Sequence, residues 1–250
     1  MGDHQTPPTY AGTITATTGN DYRRHVNKSG DKDDHMTQNK TVEFFENQFR
    51  RQTRESEYAL NPFETLALDA LSGTVLDLGC GLGNLSLEAG RRGHRVVAVD
   101  ASSTAVARIN DDAHKEALDV SAIQIDIGPH SIDRTYDTIV TIGLLMFFRR
   151  EPALELLSAI QEHVNPGGRV IVNVLIEGTT FMGMFDTDNY VLLSAQELEE
   201  HFAGWKILAS HRDSFPAPEE TTKEFVTLIA EKPVSEEGGC HKAVGRSERI

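Results

Sequence analysis

Three carboxylates, Asp77, Asp100 and Asp126, each stand at or near the end of a short apolar run, at intervals that fit one strand and one helix apiece. The first lies in Val75-Leu76-Asp77-Leu78-Gly79-Cys80-Gly81-Leu82-Gly83-Asn84, an apolar strand that meets three alternate glycines and then a helix. Glycines there remove Cβ atoms where the chain turns sharply and a ligand must approach the backbone. Free N–H groups at the helix start also suit an anionic group. A dinucleotide fingerprint wants Gly-x-Gly-x-x-Gly/Ala after the strand, whereas this register puts Asn84 at the last position. Asp77 would repel a pyrophosphate and attract an amino group. The second run, Arg95-Val96-Val97-Ala98-Val99-Asp100, ends in an acid that can accept from both hydroxyls of a ribose. The third, Ala122-Ile123-Gln124-Ile125-Asp126-Ile127, offers a carboxylate to an adenine amino group and Ile127 to its ring. In order, the three strand ends read as sites for an amino acid, a ribose and an adenine. The competing explanation is a Rossmann-like domain whose acids only cap helices.

With these residues in view, the chain resembles the class I S-adenosylmethionine (SAM)-dependent methyltransferases, Asp77 to Gly83 being the first motif, Asp100 the second and Asp126 the third. The resemblance implies SAM as cofactor. It also implies a contact set of Asp77, Gly79, Cys80, Gly81, Gly83, Asp100, Ala101, Asp126, Ile127 and Ile142.

These residues need a scaffold, and 250 residues favour one domain with appendages over two full domains. No run approaches the roughly twenty apolar residues of a membrane span. The N-terminus lacks a signal-peptide layout, so a cytoplasmic protein is expected. A formal charge of -14 argues against nucleic acid as partner and for a small-molecule methyl acceptor, with the chain a monomer or homodimer. Of the two cysteines, Cys80 sits in the glycine loop and Cys240 in a polar stretch, so neither a disulfide nor a thiolate acceptor site is expected. The ten histidines lack metal-ligand spacing, and Cys240-His241 reads as tail composition; no metal is expected.

Residues 1–37 are polar without apolar periodicity and are expected to be a disordered tail, as are residues 233–250; the domain is expected over 38–232. Val42, Phe45 and Phe49, with Phe44 beside them, fall at helical spacing. In the resembled fold such a helix can lie across the cofactor, so Phe44 to Arg51 is a candidate lid. A short helix over Phe63–Leu71 follows. Alternating segments then predict strands at 74–78, 95–99, 121–125, 137–142, 168–175, 205–213 and 223–232, and helices at 84–92, 102–112, 151–164 and 195–203. Pro166-Gly167-Gly168 is expected to stop the helix that ends near Val164 and to turn the chain into the fifth strand. The link Ser214 to Glu220 is too short for a crossover, so the last two strands must pair antiparallel. The expected fold is α/β, a Rossmann-like seven-stranded sheet, mostly parallel with a terminal antiparallel hairpin and helices on both faces. Strand order 3-2-1-4-5-7-6 is what the resemblance implies.

Ligands of open α/β sheets collect beyond the carboxyl ends of the strands. After the fourth strand comes the apolar Thr141 to Phe148, which reads as core or as a wall that excludes water. After the fifth comes a long segment from Asn173 to Phe185, followed by Asp186 to Tyr190, a candidate binding loop. Gly143 to Phe148, Leu198-x-x-x-Phe202-x-Gly204-Trp205, and Lys223-x-Phe225-Val226-Thr227-x-Ile229-Ala230-x-Lys232 are similar to the tellurite-resistance methyltransferase family, often called TehB. The similarity covers residues 40 to 232 and implies methyl transfer to tellurite, selenite or a related chalcogen compound. A soft nucleophile of that kind needs alignment and a dry site more than a strong base. O-, N- or S-methylation of another small metabolite is the alternative and would want Glu177, His201 or His211 as proton acceptor. A non-enzymatic SAM-binding regulatory module also fits. Arsenite, usually held by several thiolates, and NAD fit less well.

Overall fold

The computed structural model describes residues 40–55, 58–186 and 188–234. Helices α1 (Lys40–Glu55) and α2 (Pro62–Ala70) precede an alternating stretch: β1 (Thr74–Leu78), α3 (Asn84–Arg91), β2 (Arg95–Asp100), α4 (Ser103–Lys115) and β3 (Val120–Gln124). β4 (Tyr136–Ile142), α5 (Arg150–Glu162), β5 (Val164–Leu175), α6 (Ala195–His201), β6 (Lys206–Ala217) and β7 (Thr221–Glu231) complete it. The polar tails, the Cys240-His241 pair and the side chains of Val42 and Phe44 lie outside what is described.

Seven strands form one sheet in the order β3-β2-β1-β4-β5-β7-β6. β1 to β5 run parallel, and β7 is antiparallel to both β5 and β6. The central strands are apolar on both faces because helices cover both. Leu76, Leu78 and Val172 face the side packed by Leu156, Leu157 and Ile160 of α5, and Val75 and Ile171 face Ala67 and Leu68 of α2. Register matters most for function. Leu78 pairs with Val99 on one side and Thr141 on the other, so Gly79, Asp100 and Ile142 emerge along one edge.

The expected architecture is present, while several boundaries move. α5 stops at Glu162 and β5 already begins at Val164. Between its pairings to Tyr136 and Thr138, β5 is irregular. Asn165 donates to Asp137 there at 2.8 Å, and a Cβ on Gly168 would stand 2.6 Å from the Asp137 carbonyl oxygen. Pro166-Gly167-Gly168 thus shapes the strand instead of stopping the helix. β6 and β7 run further than expected, to a turn in which Glu219 and Glu220 take φ of 60° and 56°. α4 gains a last turn carrying His114 and Lys115, cations suited to a helix C-terminus. Among the described residues no helix is long and apolar enough to cross a membrane.

Candidate functional site

The glycine loop opens a cavity of about 630 Å³ at the carboxyl edge of the sheet. Gly79 and Cys80 donate their N–H groups to the Val99 carbonyl at 2.8 and 3.1 Å, so the loop is pinned to β2. Gly81 has φ of 51°, and a Cβ there would meet the Phe49 ring of α1 at 3.3 Å. Gly83 has φ of 72°, and its Cβ would collide with Ile109 at 2.3 Å. That glycine therefore lets α3 and α4 close up and does not itself line the cavity. Asp100 holds the loop from below, accepting from Gly81 N–H through Oδ2 and from Ser102 N–H through Oδ1, both at 2.8 Å. The Ala101 N–H also favours the carboxylate, and the lone-pair capacity left over is open to a ligand.

Asp77 is 3% exposed and accepts from Ser86 Oγ at 2.6 Å. Burial pushes its carboxyl up to about 7 against that hydrogen bond, and the negative charges of Glu64 and Asp100 push the same way. Glu64 comes from α2, where Asn61 caps the helix and Glu64 Oε2 accepts from Asn61 N–H at 2.7 Å, a reciprocal capping box. Its own carboxyl is raised by burial. Two crowded acids of this kind suit a positively charged ligand group. Cys80 is buried beside them, and burial with the charges of Asp77 and Asp100 pushes its thiol well up, so it is no thiolate at neutral pH.

α1 roofs the cavity with Phe45, Gln48, Phe49 and Gln52. Phe45 meets Phe147 edge-on at 5.0 Å, and Glu46 accepts from the hydroxyls of Ser102 and Thr104 at the start of α4. Burial opposes the charge of Glu46, but those hydroxyls and Arg50 outweigh it and hold the carboxyl below its usual range. A second tie is Arg108 of α4. It stacks 3.7 Å over the Tyr58 ring and donates to the Leu82 carbonyl and to Asn84, whose own amide donates to Ala59 at 3.3 Å. Glycine loop, α4 and the segment between α1 and α2 are thereby fastened together.

The far half of the cavity is apolar, lined by Leu144, Met146, Phe147, Phe148 and Met184, and Ile142 and Phe225 add further apolar lining. The apolar run after β4 both lines the cavity and enters the core, where Leu145, Met146 and Phe147 are buried. Asn173, Asn189, Gln48 and Lys223 supply polarity, and no histidine or tyrosine lines the cavity among the described residues.

Asp77, Gly79, Cys80, Gly81, Asp100, Ala101, Asp126, Ile127 and Ile142 are brought to this one cavity. Glu177, His201 and His211 are not. Glu177 follows the buried Ile176 and is turned to solvent, His201 ends α6 with its carbonyl accepting from Gln161, and His211 is exposed on the edge strand β6. Long, mixed loops and strand histidines look catalytic in a sequence, but strand alternation and edge position decide otherwise. Sequence reasoning missed Arg108, missed Glu64 and Lys223 as cavity residues, and took Asn173 only as the head of the long candidate loop. Asn61-Pro62-x-Glu64 could have been read as a capping box, and Asn173 as a polar break in Val170 to Leu175. No comparable signal marks Arg108.

Residues 38–215 match the family model described as Tellurite resistance protein TehB. That match spans most of the chain, which belongs to this family. The chain is 30% identical over 141 residues to the "Probable S-adenosyl-L-methionine-dependent methyltransferase TehB" of Haemophilus influenzae (strain 10810), covering 54% of this chain and 46% of the relative. It is 39% identical over 105 residues to the "Cypemycin N-terminal methyltransferase" of Streptomyces sp, covering 40% and 41%. The chain thus spans about half the length of the curated relatives it matches. The crystal structure of TehB from Haemophilus influenzae superposes with a TM-score of 0.62 at 24% identity, over 77% of this chain and 67% of that one.

Proposed function

We propose that this TehB-family chain is a SAM-dependent methyltransferase acting on a small, soft acceptor, in its finer form a chalcogen compound such as tellurite or selenite. The reading rests on one observation: Asp77, the glycine loop, Asp100 and Asp126 line a single cavity in the order a sulfonium nucleoside of this kind would need. Asp77 with Glu64 would hold the amino group of its methionine part, and the loop N–H groups would approach the carboxylate. Asp100 would take the ribose hydroxyls with its remaining lone pairs, and Asp126 the adenine amino group, with Ile127 on the ring. When bound, SAM supplies a methyl carbon on a positively charged sulfur; the acceptor's lone pair forms the new bond as the carbon–sulfur bond breaks, its electron pair passing to sulfur.

The chain's own task is then orientation and exclusion of water. Phe45, Met146, Phe147, Phe148 and Met184 build a dry wall in the far half, where in-line displacement gains from alignment. The lining carboxylates Glu64, Asp77, Asp100 and Asp126 are claimed by the cofactor side, which leaves the far half without a strong base. That favours a nucleophile needing none. Methylation of another metabolite is the second reading, favoured by the amide groups of Asn173, Asn189 and Gln48 in the cavity.

Calorimetry with SAM, S-adenosylhomocysteine and NAD tests the cofactor, and NAD binding without SAM binding would overturn the assignment. Turnover of labelled SAM with tellurite, selenite, arsenite, thiols and phenols, following volatile and soluble products, tests the acceptor. SAM binding with no turnover on any acceptor would favour a regulatory module.

A further inference from the structure

Asn173 stands on β5 opposite Ile142 of β4 and Thr227 of β7 and is 1% exposed. Its amide nitrogen donates to Thr227 Oγ1 at 2.9 Å and reaches the Val226 carbonyl at 3.5 Å. Because a carbonyl only accepts, the long second contact favours nitrogen at that end of the amide. Oδ1 is closed to solvent and without a hydrogen-bond partner among the described residues; Asn173 lines the cavity with Ile142, Gly143 and Phe225, so a donor there meets Oδ1 once the side chain turns toward it. Burying such an oxygen unpaired is destabilising. Ile171, two residues earlier on the same face, shows what packing alone would place there.

We propose that Asn173 Oδ1 is the specificity-determining anchor of the methyl acceptor and selects acceptors that carry an O–H or N–H donor. The inference rests on the methyl-transfer reading above. Its place beside Ile142 and Gly143, whose N–H donates to the Asn173 carbonyl at 2.9 Å, puts the anchor at the end of β4, between the glycine-loop side and the apolar half. An uncharged amide oxygen holds a proton donor without removing the proton, so it orients the nucleophile instead of activating it. Lys223 lies on the same face of β7 as Thr227, lines the same cavity and makes no ion pair with a described carboxylate, its ammonium sitting 4.6 Å over the Phe181 ring. A hydroxyl and a negative oxygen on one acceptor, as in hydrogen selenite, match this pair best.

The test compares hydrogen selenite with dimethyl sulfide, a soft nucleophile that has neither O–H nor N–H. Asn173→Leu should retain SAM affinity by calorimetry, while its preference for hydrogen selenite over dimethyl sulfide falls about tenfold or more, the scale of one buried hydrogen bond. Thr227→Val, which loosens the amide but leaves Oδ1, should keep that preference. An unchanged preference in Asn173→Leu overturns the proposal. If the wild type methylates neither probe, or the variant does not fold, a crystal structure of the wild-type S-adenosylhomocysteine complex soaked with selenite decides. A selenite oxygen or a cavity water on Oδ1 supports the anchor, and a protein donor on Oδ1 overturns it. Failure of the wild type to bind SAM would instead sink the methyl-transfer reading itself.

Discussion

Asp77 is a fully enclosed acid whose folded pKa, about 7, lies above its ordinary value of 3.8. Linkage gives the sign. A raised carboxyl contributes stability that is complete below the unfolded pKa and is lost as pH rises from about 4 to about 7, where the folded state must also ionise next to Glu64 and Asp100. A bound ammonium group reverses that cost. SAM affinity should therefore climb about tenfold between pH 5.5 and 7, as the ionised fraction of a group titrating near 7 does, and decline above pH 8 as an α-amino group loses its proton. Asp77→Asn should flatten the acid limb and stabilise the ligand-free protein at pH 8; calorimetry and thermal melts across pH check both. Asp100 differs, since its two oxygens already hold Gly81 and Ser102. Asp100→Ala should weaken SAM binding by on the order of 2–4 kcal/mol through lost charge-assisted bonds and a loosened loop. Unchanged affinity in a folded variant would remove Asp100 from the site. The positions of these acids were legible because a strand ending in a carboxylate is a local pattern. The partners of Asp77 were not, because Glu64 and Ser86 reach it only through the packing of α2 and α3 on the sheet.

Elements were legible where periodicity alone decides them and blurred where tertiary pairing does. The strand positions and the hairpin direction follow from alternation and a short link, with the strand order implied by the family resemblance. The start of β5 does not, since Val164 joins Tyr136 across a bulge that needs Asn165 and Gly168 against Asp137. α1 was readable as an aromatic helix, yet its docking depends on Glu46 finding the hydroxyls of Ser102 and Thr104. That docking places the roof on the same helix start that Asp100 fastens to the glycine loop. Glu46→Ala should speed SAM release, leave the melting temperature of the sheet nearly unchanged and increase hydrogen exchange in α1; stopped-flow displacement and exchange mass spectrometry would report it. A release rate equal to wild type would mean that α1 is a fixed wall and not a lid. Gly81→Val joins both elements. It strains a positive φ and drives a branched side chain toward Phe49, so it should abolish SAM binding while sparing the fold.

At the scale of the whole molecule, the sheet edge gathers charge that the cavity cannot neutralise alone. The sequence carries a formal charge of -14, and among the described residues four carboxylates line the cavity against one lysine. SAM, bringing a sulfonium and an ammonium, relieves part of this field, so an anionic acceptor should enter productively after the cofactor and not before it. The long-range part remains. Screening shortens it from about 30 Å at 0.01 M salt to about 8 Å at 0.15 M. For hydrogen selenite, kcat/KM should then rise roughly twofold or more over that range, because the repulsion that slows encounter is removed. For an uncharged thiol held below its pKa, the same salt series should be flat. Measured with saturating SAM, a fall with salt for selenite would mean that Lys223 and the cavity mouth, and not the net charge, govern approach.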